Sequence, residues 1–128
     1  MAKILVIDDQ PNVRMLLALL LLQQGYDVVL AENGWEGLQL YRQEHPDVIL
    51  LDLNMPELDR VTVLKQIRSV DLKQPVIILT GDNAQETERQ VRALGVSEFI
   101  IKGSSLHLLG RVLQRVLKTA APAMAIHR

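Results

Sequence analysis

Five short aliphatic runs alternate with longer segments of helical periodicity, and this alternation constrains the fold more than any other feature of the chain. The runs are Ile4-Leu5-Val6-Ile7, Val28-Val29-Leu30, Val48-Ile49-Leu50-Leu51, Val76-Ile77-Ile78-Leu79 and Phe99-Ile100-Ile101. Continuous apolar runs of this kind suit parallel strands covered on both faces, since neither face then has to meet water. The intervening segments carry start and stop signals for helices. Pro11 suits a first helical turn, where its missing N–H costs nothing. Asn33 with Glu36, and Asn83 with Glu86, have the spacing of capping boxes with Asn in place of Ser or Thr. Asp59 is expected to cap a third helix, and Ser104 or Ser105 a fifth. Gly25 and Gly95 stand where the first and fourth helices should stop. The reading predicts strands near 3–8, 27–31, 47–52, 75–80 and 98–101, and helices near 11–24, 34–44, 60–69, 84–94 and 104–118. Strict alternation implies an α/β architecture, a doubly wound parallel (βα)5 sheet with helices on both faces.

Length and composition agree with a single unit. A chain of 128 residues with 48% hydrophobic and 23% charged side chains can bury a core without covalent staples. The (βα)5 pattern fills residues 1–118. Residues 119–128 lack a clear element and read as a tail or the start of a linker. A net charge of −1 gives no general affinity for nucleic acid or anionic membrane. No cysteine is present, which excludes a disulfide scaffold and thiolate chemistry. Met1-Ala2-Lys3 passes at once into a strand-like run, so no signal peptide is expected, and the apolar run Met15 to Leu22 is too short to span a bilayer. A cytoplasmic location is expected.

In open parallel sheets, chemistry gathers beyond the carboxyl ends of the strands. There the first strand ends in Asp8-Asp9, the third in Asp52, the fourth in Thr80, and the fifth is followed by Lys102. Taken singly, each has an ordinary explanation: a helix cap, a turn residue, a surface lysine. Taken jointly, four strand ends deliver three carboxylates, a hydroxyl and an ammonium to one edge. Clustered carboxylates repel unless a cation is present. Mg²⁺ (or Mn²⁺) favours such oxygens and prefers one or two carboxylates plus a phosphate. A carboxylate beside such an ion can act as nucleophile toward a phosphoryl group. Phosphoryl transfer needs mainly positioning and charge neutralisation. His45, His107 and His127 occupy helix-end, helix and tail positions, show no metal-ligand spacing and are expected to face solvent.

These motifs resemble the receiver domain of bacterial two-component response regulators, over residues 3 to about 118. The resemblance rests on Ile4-Leu5-Val6-Ile7-Asp8-Asp9, Asp47-Val48-Ile49-Leu50-Leu51-Asp52-Leu53-Asn54-Met55-Pro56, Pro75-Val76-Ile77-Ile78-Leu79-Thr80 and Phe99-Ile100-Ile101-Lys102. It implies a flavodoxin-like sheet of order 2-1-3-4-5. It also implies that Asp52 is the phospho-acceptor, that Asp9 binds Mg²⁺ directly and Asp8 through water, and that the Asn54 backbone carbonyl is a further ligand. Lys102 matches the lysine that contacts the phosphoryl oxygen. Thr80 matches the hydroxyl that moves toward the phosphate, and Phe99 the aromatic switch residue. The switched face would comprise the helix near 84–94, the strand near 98–101 and the helix near 104–118. The residues two after the phospho-acceptor and two after the threonine, Asn54 and Asp82, match positions that tune hydrolysis. The donor implied is a histidine kinase or a histidine phosphotransfer protein. Such a domain catalyses only its own phosphorylation and dephosphorylation.

The sequence departs from this pattern in places. Gly103 follows Lys102 where the family has proline, commonly after a cis bond; a cis bond to a non-proline residue costs about 3–4 kcal/mol. Gly81 replaces a frequent alanine. Arg60 stands where glycine is usual, with a strain cost of about 1 kcal/mol if that position needs positive φ. On the first helix, Val13, Leu16, Leu17 and Leu20 form a stripe expected in the core. Met15, Ala18, Leu19 and Leu22 form a second stripe. In the family this helix docks the kinase or phosphotransfer partner, so Met15, Leu19 and Leu22 are read as docking residues. Homodimerisation on activation is compatible with the sequence. Two alternatives are a pseudo-receiver that binds partners without phosphorylation and an Mg²⁺-dependent phosphatase. The first usually lacks an acid or the lysine, all present here; the second has an acid where this chain has Asn54. A flavin-binding role is weaker, with Trp35, Tyr26 and Tyr41 the only aromatics besides Phe99.

Overall fold

Lys3–Ile7 (β1), Asp27–Ala31 (β2), Val48–Asp52 (β3), Val76–Thr80 (β4) and Glu98–Ile101 (β5) pair in parallel in the order β2-β1-β3-β4-β5. The parallel α/β sheet is the one expected from the alternation, and its flavodoxin-like order, with β2 at one edge, is the one the family resemblance implied. A computed structural model describes residues 1–52, 57–80, 89, 92–95, 98–101 and 106–126, and the side chains of all these except 57–60, 80, 98, 99, 101, 106, 107 and 119–126. The helices are Pro11–Gln23 (α1), Gly34–Glu44 (α2), Glu57–Val70 (α3) and Leu106–Ile126 (α4). The helix expected near 84–94 falls largely outside the described residues; Arg89, Arg92 and Ala93 within it are helical.

Alternate side chains of each strand feed two apolar layers. Ile4, Val6, Leu50 and Ile77 join Leu17 and Leu21 of α1 and Leu109 and Leu113 of α4. Leu5, Ile7, Ile49 and Ile78 join Val63, Leu64 and Ile67 of α3. The central strand β3 is buried along its whole length, as a sheet covered on both faces requires.

The expected helix signals act locally, with some corrections. Asn33 Oδ1 accepts the Glu36 N–H at 2.8 Å, and Glu36 Oε1 accepts the Glu32 N–H at 2.9 Å. The return bond of the box thus lands one residue earlier than the standard pattern. Gly25 at φ 91° and Gly95 at φ 86° take the left-handed backbone that glycine allows without steric cost. His45 ends α2 at φ 50°, is solvent-exposed as expected, and does the same work with a side chain. Asp59 does not cap α3. The helix begins at Glu57, so Asp59 lies within its first turn rather than ahead of it. Arg60 is likewise helical and carries no positive-φ strain. The last helix does not stop near 118. Alanines at 120, 121, 123 and 125 have the highest helix propensity and carry it through Pro122 to Ile126, so residues 119–126 do form an element.

The first helix is rotated from its expected phase. Leu17, Ala18 and Leu21 are its buried residues, while Leu16, expected in the core, is 49% exposed. Helix and sheet surfaces meet over one narrow stripe, and the 17/18/21 set satisfies it. Arg68 near the end of α3 bridges to the Leu94–Gly95 turn. Its Nε donates to the carbonyls of Leu94 (3.0 Å) and Gly95 (2.9 Å), its Nη2 to Gly95, and its Nη1 to Asp71 (3.0 Å). Burial lowers the Arg68 pKa and raises that of the neighbouring Tyr41 phenol, which the Asp71 carboxylate raises further. Among the described residues no helix is long and apolar enough to cross a membrane.

One glycine sets how closely a helix approaches the sheet. A Cβ on Gly37 of α2 would lie 2.6 Å from Ile7 Cδ1 and 2.9 Å from Ile7 Cγ1, and Ile7 is fully buried. Gly37→Val should therefore lower stability by about 1–3 kcal/mol through overpacking, read as a lower urea midpoint with an unchanged m-value.

Candidate functional site

The strand register assembles the site. Ile7 pairs with Leu51 across β1 and β3, so Asp8 and Asp52 follow as neighbours. Asp52 pairs with Leu79 across β3 and β4, which puts the Thr80 backbone one step beyond it. Thr80 in turn pairs with Ile101, the last residue of β5. Every one of these strands ends toward the same edge.

Asp8, Asp9 and Asp52 meet there. One carboxylate oxygen from each lies within 4.8 Å of the others. Asp8 and Asp52 are each 1% exposed, whereas Asp9 is exposed, so the cluster opens to solvent on the Asp9 side. The turn after β1 is held closely. The Asp8 N–H donates to the Ala31 carbonyl of β2 at 3.1 Å, and Asp8 Oδ1 accepts the Gln10 N–H at 2.9 Å. Arg14 Nη1 donates to the Asp8 carbonyl at 2.8 Å. Gln10 then enters α1 in extended conformation, with Pro11 as the first helical residue.

Three anionic oxygens at this spacing repel strongly where burial lowers the dielectric. The donor set fits a hard divalent cation. Asp8, Asp9 and Asp52 are the described residues that would hold such an ion, each offering one carboxylate oxygen. Oxygen-only donors, some carboxylate, with one open side, are what such an ion accepts alongside water or phosphate.

Of the residues singled out from sequence, the fold therefore brings Asp8, Asp9 and Asp52 together. Thr80 and Phe99 occupy strand positions in β4 and β5, with Phe99 paired to Ile78, and their side chains are not described. Asn54, Asp82, Lys102 and the Lys102–Gly103 bond lie outside the described residues. Met15, Leu19 and Leu22 are exposed on α1, at 58%, 54% and 55%. Ala18, assigned to the same stripe, is buried.

Arg14 was not singled out from sequence. A signal for it existed: it is the one charged residue of α1 and lies in the first turn, where the helix dipole disfavours a cation by about 0.3–1 kcal/mol. A residue placed against its local preference invites a search for a compensating contact, and the Asp8 carbonyl supplies one.

The comparisons with known proteins agree with this arrangement. A family model described as the response regulator receiver domain matches residues 4–114. The chain is 37% identical over 116 residues to the regulatory protein AtoC of Escherichia coli, covering 91% of this chain and 25% of that protein. It is 32% identical over 118 residues to the chemotaxis protein CheY of Bacillus subtilis, covering 91% of this chain and 96% of CheY. It thus spans a quarter of one relative and nearly all of another. Among solved structures it is similar to the response regulator TrrA of Thermotoga maritima in complex with Mg²⁺–BeF. That match has a TM-score of 0.82 and 30% identity, covering 91% of this chain and 99% of TrrA. Fold, strand-end acids and sequence relatives converge, and the chain belongs to the response regulator receiver domain family.

Proposed function

We propose that Asp52 is the phospho-acceptor of this receiver and that Mg²⁺ (or Mn²⁺) is held by Asp9, by Asp8 directly or through water, by Asp52 and by the Asn54 backbone carbonyl. The observation that carries the proposal is the grouping of the Asp8, Asp9 and Asp52 carboxylates at one strand edge, with Asp52 buried and Asp9 open to solvent. The Mg²⁺–BeF complex of TrrA supports the choice of ion by likeness.

In this reading an Asp52 carboxylate oxygen attacks phosphorus. The new O–P bond forms as the N–P bond of a phosphohistidine donor breaks, and the departing imidazole nitrogen keeps the electron pair. A bound divalent ion supplies neutralisation of charge on the transferred oxygens. Asp8 and Asp9 hold their carboxylates beside Asp52, whose burial fixes its position at the strand end. Lys102 offsets the remaining negative charge, and the Thr80 hydroxyl engages the phosphoryl group. Phe99 lacks a hydroxyl, so its reorientation would be held by packing alone. The face of the segment near 84–94, β5 and α4 would carry the output. Asn54 and Asp82 would tune attack by water.

The donor is a histidine kinase or histidine phosphotransfer protein. Met15, Leu19 and Leu22 on α1 are its docking contacts, with a homodimer on activation a further assembly of the same module. The receiver unit expected over residues 1–118 has its last helix continuing to Ile126, and we place it in the cytoplasm with no nucleic-acid contact of its own, either free-standing or as the front of a longer regulator.

Intact mass after incubation with acetyl phosphate and Mg²⁺ tests the central step. One phosphoryl group should be gained by the wild type and none by Asp52→Asn or in excess EDTA. Failure with every donor, a phosphotransfer protein included, would instead make the chain a partner-binding pseudo-receiver. Asp82→Lys places a long cation where water approaches. It should lengthen the phosphoryl half-life severalfold, followed by loss of the phosphorylated mass with time; an unchanged half-life removes Asp82 from this role.

A further inference from the structure

Among the described residues, three hydrogen bonds hold the turn that presents Asp8 and Asp9, and one of them is donated by a side chain from the helix that follows. The Asp8 N–H is held by the Ala31 carbonyl, Asp8 Oδ1 by the Gln10 N–H, and the Asp8 carbonyl by Arg14 Nη1 at 2.8 Å. The first is a backbone pair that any sequence of this fold could provide, and the second uses the Asp8 carboxylate itself. The third depends on one residue type at one position.

That third anchor controls the Asp8–Asp9 peptide. The peptide is planar, so fixing the Asp8 carbonyl oxygen also fixes the Asp9 nitrogen and the direction in which the Asp9 Cα leaves the plane. Asp9 is exposed, and its carboxylate is aimed chiefly by the backbone that carries it. Asp8 is buried and is aimed by its own bond to Gln10. Water could satisfy a carbonyl at the mouth of the site. A guanidinium anchored in α1 does so with a fixed geometry, because its planar fork loses less freedom on bonding than a lysine would.

We propose that Arg14 is a positioning residue for the cation site: by holding the Asp8 carbonyl it keeps the Asp9 carboxylate turned toward Asp52. The inference rests on the reading of the three acids as a divalent-cation site. Arg14 has two opposed effects on a cation. Its charge repels the ion, and its hydrogen bond orders the ligands. Salt separates them, since a repulsion near solvent is screened at high ionic strength and a geometric constraint is not. Groups that act on metal ligands from behind typically change metal affinity by about 10–100-fold.

The test is Mg²⁺ binding by the full unphosphorylated chain, with Mg²⁺ alone as the probe, followed by calorimetry at low and high salt. Arg14→Met should weaken Mg²⁺ binding by about tenfold, with the deficit persisting at high salt and the melting temperature of the metal-free protein close to wild type. Arg14→Lys, which can still donate to the carbonyl but without the planar fork, should fall between Arg14→Met and wild type. Mg²⁺ binding by Arg14→Met as tight as wild type, or tighter, overturns the proposal. So does a loss shared equally by both variants and matched by a large fall in melting temperature, which would mark a purely structural residue. If the wild type takes up no Mg²⁺, the cation site itself fails and the inference falls with it. If the wild type binds and Arg14→Met binds equally, only the role of Arg14 fails.

Discussion

The pairing of β1 with β3 is the constraint on which the rest depends. Ile7 opposite Leu51 makes Asp8 and Asp52 neighbours, and no other register of two parallel strands would do so. A slip of one residue would also turn each strand's apolar set to the wrong layer. The core and the acid cluster are therefore specified by the same interaction. Leu5 and Ile7 enter one apolar layer, Ile4 and Val6 the other, and the acids begin where both layers end.

Two nearly buried carboxylates beside a third are costly in free energy. An ion taken out of water without compensation is penalised by several kcal/mol. Hydrogen bonds to Asp8 offset part of this, and a divalent cation would offset more. The surrounding structure has to be rigid enough to hold the acids together. Gly37, which lets α2 lie directly against Ile7, and Arg14, which ties α1 to the Asp8 carbonyl, both brace the residues next to the cluster.

The exposed side of α1 follows from the same packing. With Leu17, Ala18 and Leu21 committed to the sheet, Met15, Leu16, Leu19 and Leu22 are left toward solvent. Four large apolar side chains on one short helix face exceed the scattered exposure usual for a soluble domain. At the opposite flank Arg68 links the end of α3 to the turn at Leu94–Gly95. One flank of the sheet thus offers an apolar surface and another a polar clasp.

Local chemistry was sufficient for much of this protein. Aliphatic runs specified the strands, glycines the helix ends, and the position of acids at strand termini the makings of a site, because each depends on nearest neighbours along the chain. Helix bounds were less legible. The helical state of Asp59 and of residues 119–126 departs from expectation because capping preference and tail composition are weak beside a helix that can extend. Only the tertiary structure decided the phase of α1, since Leu16 and Leu17 have equal hydrophobicity and the sheet surface chooses between them. It also decided which acids meet and which are buried, and gave Gly37 and Arg14 their roles. Those depend on contacts between residues far apart in the chain, or across a turn whose shape the neighbouring strand sets, and composition and periodicity carry no record of them.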